Sequence, residues 1–163
     1  MKKKIIIIAV IVLALTSVVL MRTLARPKGL ASLISYDIPE GWSEGLTSYW
    51  QDDGKTVSEI TYENADGYMA VSIFSFRGCT PYGGREDAKE AAGSLNEAEM
   101  MTVDGRDCYI GWRSMDDHEK VNRAAYIFDG DYVIEIYLAN SDNTVTEEQM
   151  RGMQLLIDSI QFN

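Results

Sequence analysis

Apolar and polar residues alternate in short runs through the middle of the chain, and glycine, aspartate or proline residues separate these runs. Alternation over about four to eight residues is typical of a strand that buries one face. A first short strand is predicted at 34–38, before a turn at 39–42. Further strands, two pairs of them joined by turns at 65–67 and 129–131, are predicted at 56–64, 68–76, 99–103, 108–113, 123–128 and 132–138.

A helical period replaces this alternation near the C-terminal end. Thr146 is predicted to cap a helix, because Gln149 follows three residues later and acidic residues fill the first turn. A shorter helix is predicted at 85–95, with a narrow alanine face. The fold class is therefore α+β, with a curved antiparallel sheet of about six strands, a C-terminal covering helix and one shorter helix. The apolar stripe expected to pack on the sheet comprises Met150, Met153, Leu156, Ile157 and Ile160.

Residues 1–28 have the layout of a membrane anchor or a signal sequence. An uncharged run of 17 residues begins at Ile5 and ends at Met21, with basic residues on both sides. This run is long for a signal peptide and at the short end of what spans a bilayer. We expect an uncleaved anchor, and secretion after cleavage near 23–25 is the alternative. Residues 29–163 are then a single acidic α+β domain.

The orientation of that anchor follows from its basic head. Three lysines precede the run and three basic residues follow it, so the charges on the two sides are equal. A short basic head before an apolar run is typical of insertion with the N-terminus inside. We therefore expect a single-pass protein whose C-terminal domain is extracytoplasmic.

The domain is strongly acidic once the basic N-terminal segment is set apart. All 25 acidic residues follow residue 28, but only nine of the 15 basic residues do, which gives the domain a net charge of −16. Such a charge repels nucleic-acid phosphates and anionic headgroups, so we predict no nucleic-acid binding and no adsorption of the domain to membranes. A basic protein partner, screening of polycations and weak calcium binding all stay open.

Candidate catalytic and metal-ligating residues are few. The one histidine, His118, lies in the polar segment 115–120 between two predicted strands and is expected in a hairpin turn. One imidazole with sequence-adjacent carboxylates seldom makes a selective metal site. No Gly-x-Ser-x-Gly motif and no phosphate-binding glycine motif occur. We predict no catalytic residues, no cofactor and no metal.

Two cysteines and three aromatic residues are the remaining candidates for a site. Cys79 and Cys108 could form one disulfide in an oxidising compartment, and a buried Cys108 in a strand is the alternative. Trp42, Tyr49 and Trp50 lie close in sequence and could form an interaction surface. Packing in the core is the alternative for Trp42, and also for Trp112, which alternates with Cys108 and Ile110.

Short motifs spread over residues 34–162 resemble the PsbP-like family in the broad sense. They are Ser-Tyr-Asp-Ile-Pro-Glu-Gly-Trp at 35–42, Thr-Val-Asp-Gly-Arg-Asp-Cys-Tyr at 102–109, the hairpin at 126–138 and Ser-Ile-Gln-Phe at 159–162. The resemblance implies a curved antiparallel sheet with its last helix over one face. It also implies a secreted or membrane-attached bacterial protein that docks onto larger assemblies, and it carries over no catalytic residues.

The function expected from the sequence is that of a membrane-tethered extracytoplasmic docking domain without catalysis, with a protein partner at the cell envelope. A small-molecule or ion-binding domain that uses the concave face of the sheet is the alternative, and its mark would be a deep pocket lined by Trp and Tyr. A hydrolase is a third possibility, which requires a buried carboxylate or His118 in a cleft.

Overall fold

The computed structural model describes residues 33–52, 55–64, 67–76, 83–115, 118–140, 142 and 144–163. The predicted anchor or signal segment, 1–28, lies outside these residues. Neither helix in the described part of the chain has the length and apolar character needed to cross a bilayer. The elements in chain order are β1 Ile34–Ser35, β2 Ser43–Asp52, β3 Lys55–Glu63, β4 Gly67–Ser75, α1 Arg85–Gly93, β5 Asn96–Val103, β6 Arg106–Met115, β7 His118–Asp129, β8 Tyr132–Asn140, α2 Glu147–Ser159 and β9 Gln161–Phe162.

Seven strands form one antiparallel sheet in the order β2-β3-β4-β8-β7-β6-β5, and β1 pairs with β9 in a separate two-stranded sheet. Strands β2 to β4 are one meander and strands β5 to β8 are a second. The two meanders meet where β4 pairs antiparallel with β8. Helix α1 lies in the connection between β4 and β5, which carries the chain from the middle of the sheet to its far edge.

The two helices cover opposite faces of the sheet. Successive strand residues point to opposite faces, so Ile127 and Phe128 of β7 belong to different layers. Ile127 packs in the larger core cluster with Leu156 and other buried residues of α2. Phe128 packs in a second cluster with Ala88 and Ala92 of α1. The first face is therefore the α2 face and the second is the α1 face.

The α+β prediction is confirmed, as are both helices. The predicted cap of α2 is a full capping box: Thr146 Oγ1 accepts a hydrogen bond from the Gln149 backbone, and the Gln149 side chain accepts one from the Thr146 backbone. The predicted apolar stripe packs in the α2-face core. Each of the six strands predicted after residue 55 overlaps one of the strands β3 to β8.

The predicted sheet of about six strands differs from the observed seven-stranded sheet in two respects. Strand β2 was not predicted, because Ser43–Asp52 is mostly polar and shows no regular alternation. It lies at the edge of the sheet, and backbone pairing with β3 gives it the strand conformation. The strand predicted at 34–38 is only Ile34–Ser35 and pairs with β9 outside the large sheet. His118, predicted in a turn, is the first residue of β7, where its backbone pairs with Met115.

Candidate functional site

The segment between β1 and β2 lies along helix α2. The backbone N–H of Asp37 donates a 2.9 Å hydrogen bond to Ser159 Oγ, near the end of the helix. The turn then closes with a 3.2 Å bond from Trp42 N to Pro39 O, and Gly41 has a φ of 85°, which favours glycine. Trp42 is half-buried and packs against the α2-face core. The segment therefore runs antiparallel to the helix and ends in the turn at 39–42.

Gly152 allows the indole of Trp42 to lie directly on the helix. A Cβ atom at position 152 would lie 2.7 Å from Trp42 Nε1 and 3.5 Å from Cε2. A separation of 2.7 Å is far shorter than the 3.5–4.0 Å at which such atoms pack. Glycine in a helix interior is disfavoured by about 1 kcal/mol relative to alanine. The close approach of Trp42 explains why glycine occurs here.

A cleft of about 460 Å³ opens between the 39–42 turn and helix α2. We call it the Trp42 cleft. On the side of α2 the cleft is lined by residues that include Gly152 and the exposed Leu155. Asn64, the residue that follows β3, also lines the cleft. The residues that line it are Pro39, Glu40, Gly41, Trp42, Asn64, Glu148, Arg151, Gly152 and Leu155.

The rim of the Trp42 cleft is partly apolar and partly charged. Leu155 is 56% exposed, and Ile38, adjacent to Pro39 in sequence, is 45% exposed. Glu40, Glu148 and Arg151 are exposed too. Within the described part of the chain, these three charged side chains make no ion pair and no side-chain hydrogen bond. Their hydrogen-bonding groups face solvent and are available to a ligand.

A buried amide network fixes the first turn of α2 and thus the helix wall of the cleft. The side chains of Asn140 and Gln149 exchange two hydrogen bonds of 2.8 and 2.9 Å. Gln149 is 2% exposed and also reaches Asn64 Oδ1, at 3.4 Å. Because buried amides are costly to leave unpaired, these bonds hold the helix start against β3 and β8.

A second polar cluster lies on the α1 face of the sheet. Arg113 Nη2 donates a 2.6 Å hydrogen bond to Glu135 Oε1 and a further bond to the hydroxyl of Tyr126. Its guanidinium lies 5.3 Å from the ring centroid of Tyr137 and 5.9 Å from that of Tyr126. Burial alone would lower the pKa of Arg113, but the charge of Glu135 and the bond to Tyr126 outweigh it, and the pKa is raised.

Glu135 is the kind of buried carboxylate that the hydrolase alternative requires, with 9% of the residue exposed. Its charge is compensated by Arg113 in a 2.6 Å ion pair. Ser72, directly opposite on β4, donates its hydroxyl to Glu59 Oε2 at 2.9 Å rather than to Glu135. The cluster therefore has the form of an internal ion pair that neutralises a buried charge.

The structure places the residues predicted from the sequence in different environments. Trp42 lines the cleft, so one member of the predicted interaction surface belongs to the site. Tyr49 and Trp50 belong to β2, and their side chains lie outside the described residues. Trp112 is half-buried, with the guanidinium of Arg123 5.2 Å from its ring centroid.

The thiols are only partly described. Cys108 lies buried in β6, and burial raises the pKa of its thiol to about 12. Cys79 lies outside the described residues, so the disulfide stays a prediction. The side chain of His118 also lies outside them. Among the side chains that the structure describes, no three His, Cys, Asp or Glu residues come together as a metal site.

Eight of the nine residues that line the cleft were not predicted as site residues from the sequence, among them the charged Glu40, Glu148 and Arg151 and the exposed Leu155. A signal for them exists in α2. Leu155 is a large apolar residue that stands outside the buried stripe, and Gly152 interrupts a good helix sequence three residues earlier. An exposed apolar residue close to a helical glycine indicates an element packed on the outer side of the helix.

No family model matches this chain, and no curated protein matches it. One similar solved structure is a crystal structure of a protein from Bacteroides thetaiotaomicron, 14% identical with a TM-score of 0.46, covering 80% of this chain and 45% of the other. The present chain thus spans less than half of that protein. A GTP-binding regulator from Thermotoga maritima is 6% identical with a TM-score of 0.41, covering 74% of this chain and 82% of the other. At these TM-scores neither likeness carries an argument, and the PsbP-like resemblance stays a prediction.

Proposed function

We propose that this chain is a membrane-tethered docking domain of the bacterial cell envelope, which holds a segment of a protein partner in the Trp42 cleft on the extracytoplasmic side. The observation that carries the proposal is the cleft itself, in which the Trp42 ring and the exposed side chain of Leu155 lie beside charged groups with no partner in the described chain. Partly apolar, concave surfaces rimmed by polar residues are typical of interaction sites.

The cleft has the properties of a preformed site. Gly152 and the core packing of Trp42 fix the aromatic wall, and the amide network of Gln149 fixes the helix wall. A rigid surface loses little conformational entropy on binding, which favours affinity. Tryptophan is also enriched among the residues that dominate binding energy at interfaces.

The proposed tether would hold the cleft within reach of other envelope proteins. The described chain begins at Leu33, five residues after Lys28, a distance of at most about 18 Å for an extended chain. Leu33 O accepts a 3.0 Å hydrogen bond from Asn163 N, so the tether enters beside the C-terminus, beyond the end of α2. Gly152 lies seven residues before Ser159, about 10 Å further along the helix axis. The cleft would stand just above the headgroups.

A small-molecule site is the second candidate, because about 460 Å³ is within the usual range of ligand pockets. It differs from the pocket expected on the concave face of the sheet, since it lies on the outer side of α2 and is lined by one Trp and no Tyr. A small ligand would fill the cleft and leave Ile38, which is adjacent to the cleft residue Pro39 in sequence, exposed.

Site-specific photocrosslinking in intact cells tests the docking function. A photoreactive residue replaces Leu155 in the cleft, and the matched control replaces Met100, which is 70% exposed on the α1 face. We expect a defined protein adduct from position 155, none from position 100, and loss of the adduct when Trp42 is changed to alanine in a folded variant. Equal adducts from both positions, or none from position 155, would refute docking through the cleft.

A further inference from the structure

Two arginine side chains of this domain, Arg106 and Arg113, each contact both an aromatic ring and a carboxylate. The guanidinium of Arg106 is 4.1 Å from the ring centroid of Phe162, 3.1 Å from Asp129 Oδ1 and 3.2 Å from Asp104 Oδ2. Arg113 has the same arrangement with two tyrosine rings and Glu135. A cation held in this way gains from the ring quadrupole and from the opposite charge together.

The Trp42 cleft contains two of these three parts. Trp42 supplies the ring, and Glu40 and Glu148 supply carboxylates on the two walls. Within the described chain, no Arg or Lys side chain lies over the ring of Trp42. Both carboxylates are exposed and engage no cation of the described chain. Arg151 lines the cleft but does not lie over this ring or pair with these carboxylates, so the cation position between them is open to a ligand.

We propose that the Trp42 cleft selects a peptide segment that presents a lysine or arginine beside an apolar residue, an inference that rests on the proposed docking function. Glu148, Gly152 and Leu155 recur at i, i+4 and i+7, so they share one face of α2. The apolar residue of the segment contacts Leu155. The methylenes of the basic residue cross the Trp42 ring, and its charge reaches the carboxylates.

The charge of the site and of the domain both favour a cation. Two carboxylates and one guanidinium line the cleft, and the domain as a whole carries −16. Such a field attracts basic segments and raises their association rate, with a marked dependence on salt. Arg151 is the opposing charge, which weakens the attraction for a cation while its N–H groups can bind carbonyl oxygens of the segment.

Calorimetric titration of the full-length chain in neutral detergent tests this selectivity. The probes are three acetylated and amidated pentapeptides, Gly-Leu-X-Leu-Gly, with lysine, glutamine or glutamate at X. We expect the lysine peptide to bind at least about tenfold more tightly than the glutamate peptide at low salt, with the difference shrinking at high salt. Glu148→Gln should lower the affinity for the lysine peptide about threefold or more, and Arg151→Gln should raise it.

Glu90→Gln is the matched control, because Glu90 is also an exposed helix glutamate but lies on α1, across the sheet from the cleft. Equal affinities of the lysine and glutamate peptides, equal effects of the two glutamate substitutions, or no binding of the lysine peptide would overturn the selectivity. If photocrosslinking from position 155 still captures a partner in any of these cases, docking stands and only the cationic chemistry is wrong. If photocrosslinking fails as well, both proposals are wrong.

Discussion

Replacing a glycine in a helix interior with alanine normally stabilises the helix. At position 152 the contact with Trp42 makes this substitution destabilising. Gly152→Ala in the interior of α2 would gain about 1 kcal/mol of helix propensity. The added Cβ would lie 2.7 Å from Trp42 Nε1, so the indole must move by roughly 1 Å to reach an ordinary contact distance. Trp42 packs against the core, and such overpacking costs about 1–3 kcal/mol.

The two effects together predict that Gly152→Ala lowers the free energy of unfolding by about 0–2 kcal/mol. Gly93→Ala is the matched control, since Gly93 ends helix α1 and a Cβ there would meet no atom within 4 Å. That variant should be neutral or stabilising by up to about 1 kcal/mol. Urea unfolding of the full-length chain, followed by circular dichroism, measures both values.

A double-mutant cycle isolates the contact itself. In a Trp42→Ala background the indole is absent, so Gly152→Ala should recover its stabilising effect of about 1 kcal/mol. If Gly152→Ala stabilises the wild-type chain as much as it stabilises the Trp42→Ala chain, the two residues do not touch. The placement of the turn on the helix would then be wrong, and the cleft with it.

Three further predictions concern the internal ion pair, the buried thiol and the tether. Glu135→Gln should destabilise the fold by about 1–3 kcal/mol in urea unfolding, because it leaves the partly buried Arg113 without its counter-charge. Adding Arg113→Met should restore part of this loss, and an unchanged stability of the single variant contradicts the ion pair. In a Cys79→Ser variant, Cys108 should resist thiol reagents at about pH 8 until urea is added, and fast labelling of the native protein contradicts this. Because the pKa of the Cys108 thiol is raised from 9.0 to about 12 in the folded state, the free energy of unfolding should fall as the pH rises from about 9 towards 12. External protease on intact cells should digest the domain, whereas full protection refutes the extracytoplasmic orientation.

Elements with strong side-chain periodicity could be predicted from the sequence. The stripe of α2 and its cap are local patterns, and each residue in them acts through neighbours three or four positions away. Strand β2 could not be predicted in this way, because its strand conformation comes from backbone pairing with β3 and its side chains show little alternation.

The candidate site was predictable only at Trp42. An aromatic residue near turn signals is a recognisable candidate for a binding surface, whatever its partner in the fold. Glu148, Arg151 and Leu155 become part of a cleft only because the 39–42 turn packs on α2, which lies far along the chain. Sequence periodicity identifies the outer face of a helix, but tertiary packing decides what lies against it.

The two-stranded sheet of β1 and β9 determines how the domain responds to mechanical force. A pull on the chain ahead of Leu33 acts first on the hydrogen bond from Asn163 N to Leu33 O and on two residue pairs, Ile34 with Phe162 and Ser35 with Gln161. The next contacts on the loaded path are the hydrogen bond between the hydroxyls of Tyr36 and Tyr62, the bond from Asp37 to Ser159 and then the 39–42 turn. The backbone ladder of the seven-stranded sheet is loaded only after these have opened, at Ser43. Tension on the N-terminal segment therefore dismantles the Trp42 cleft before it unfolds the sheet.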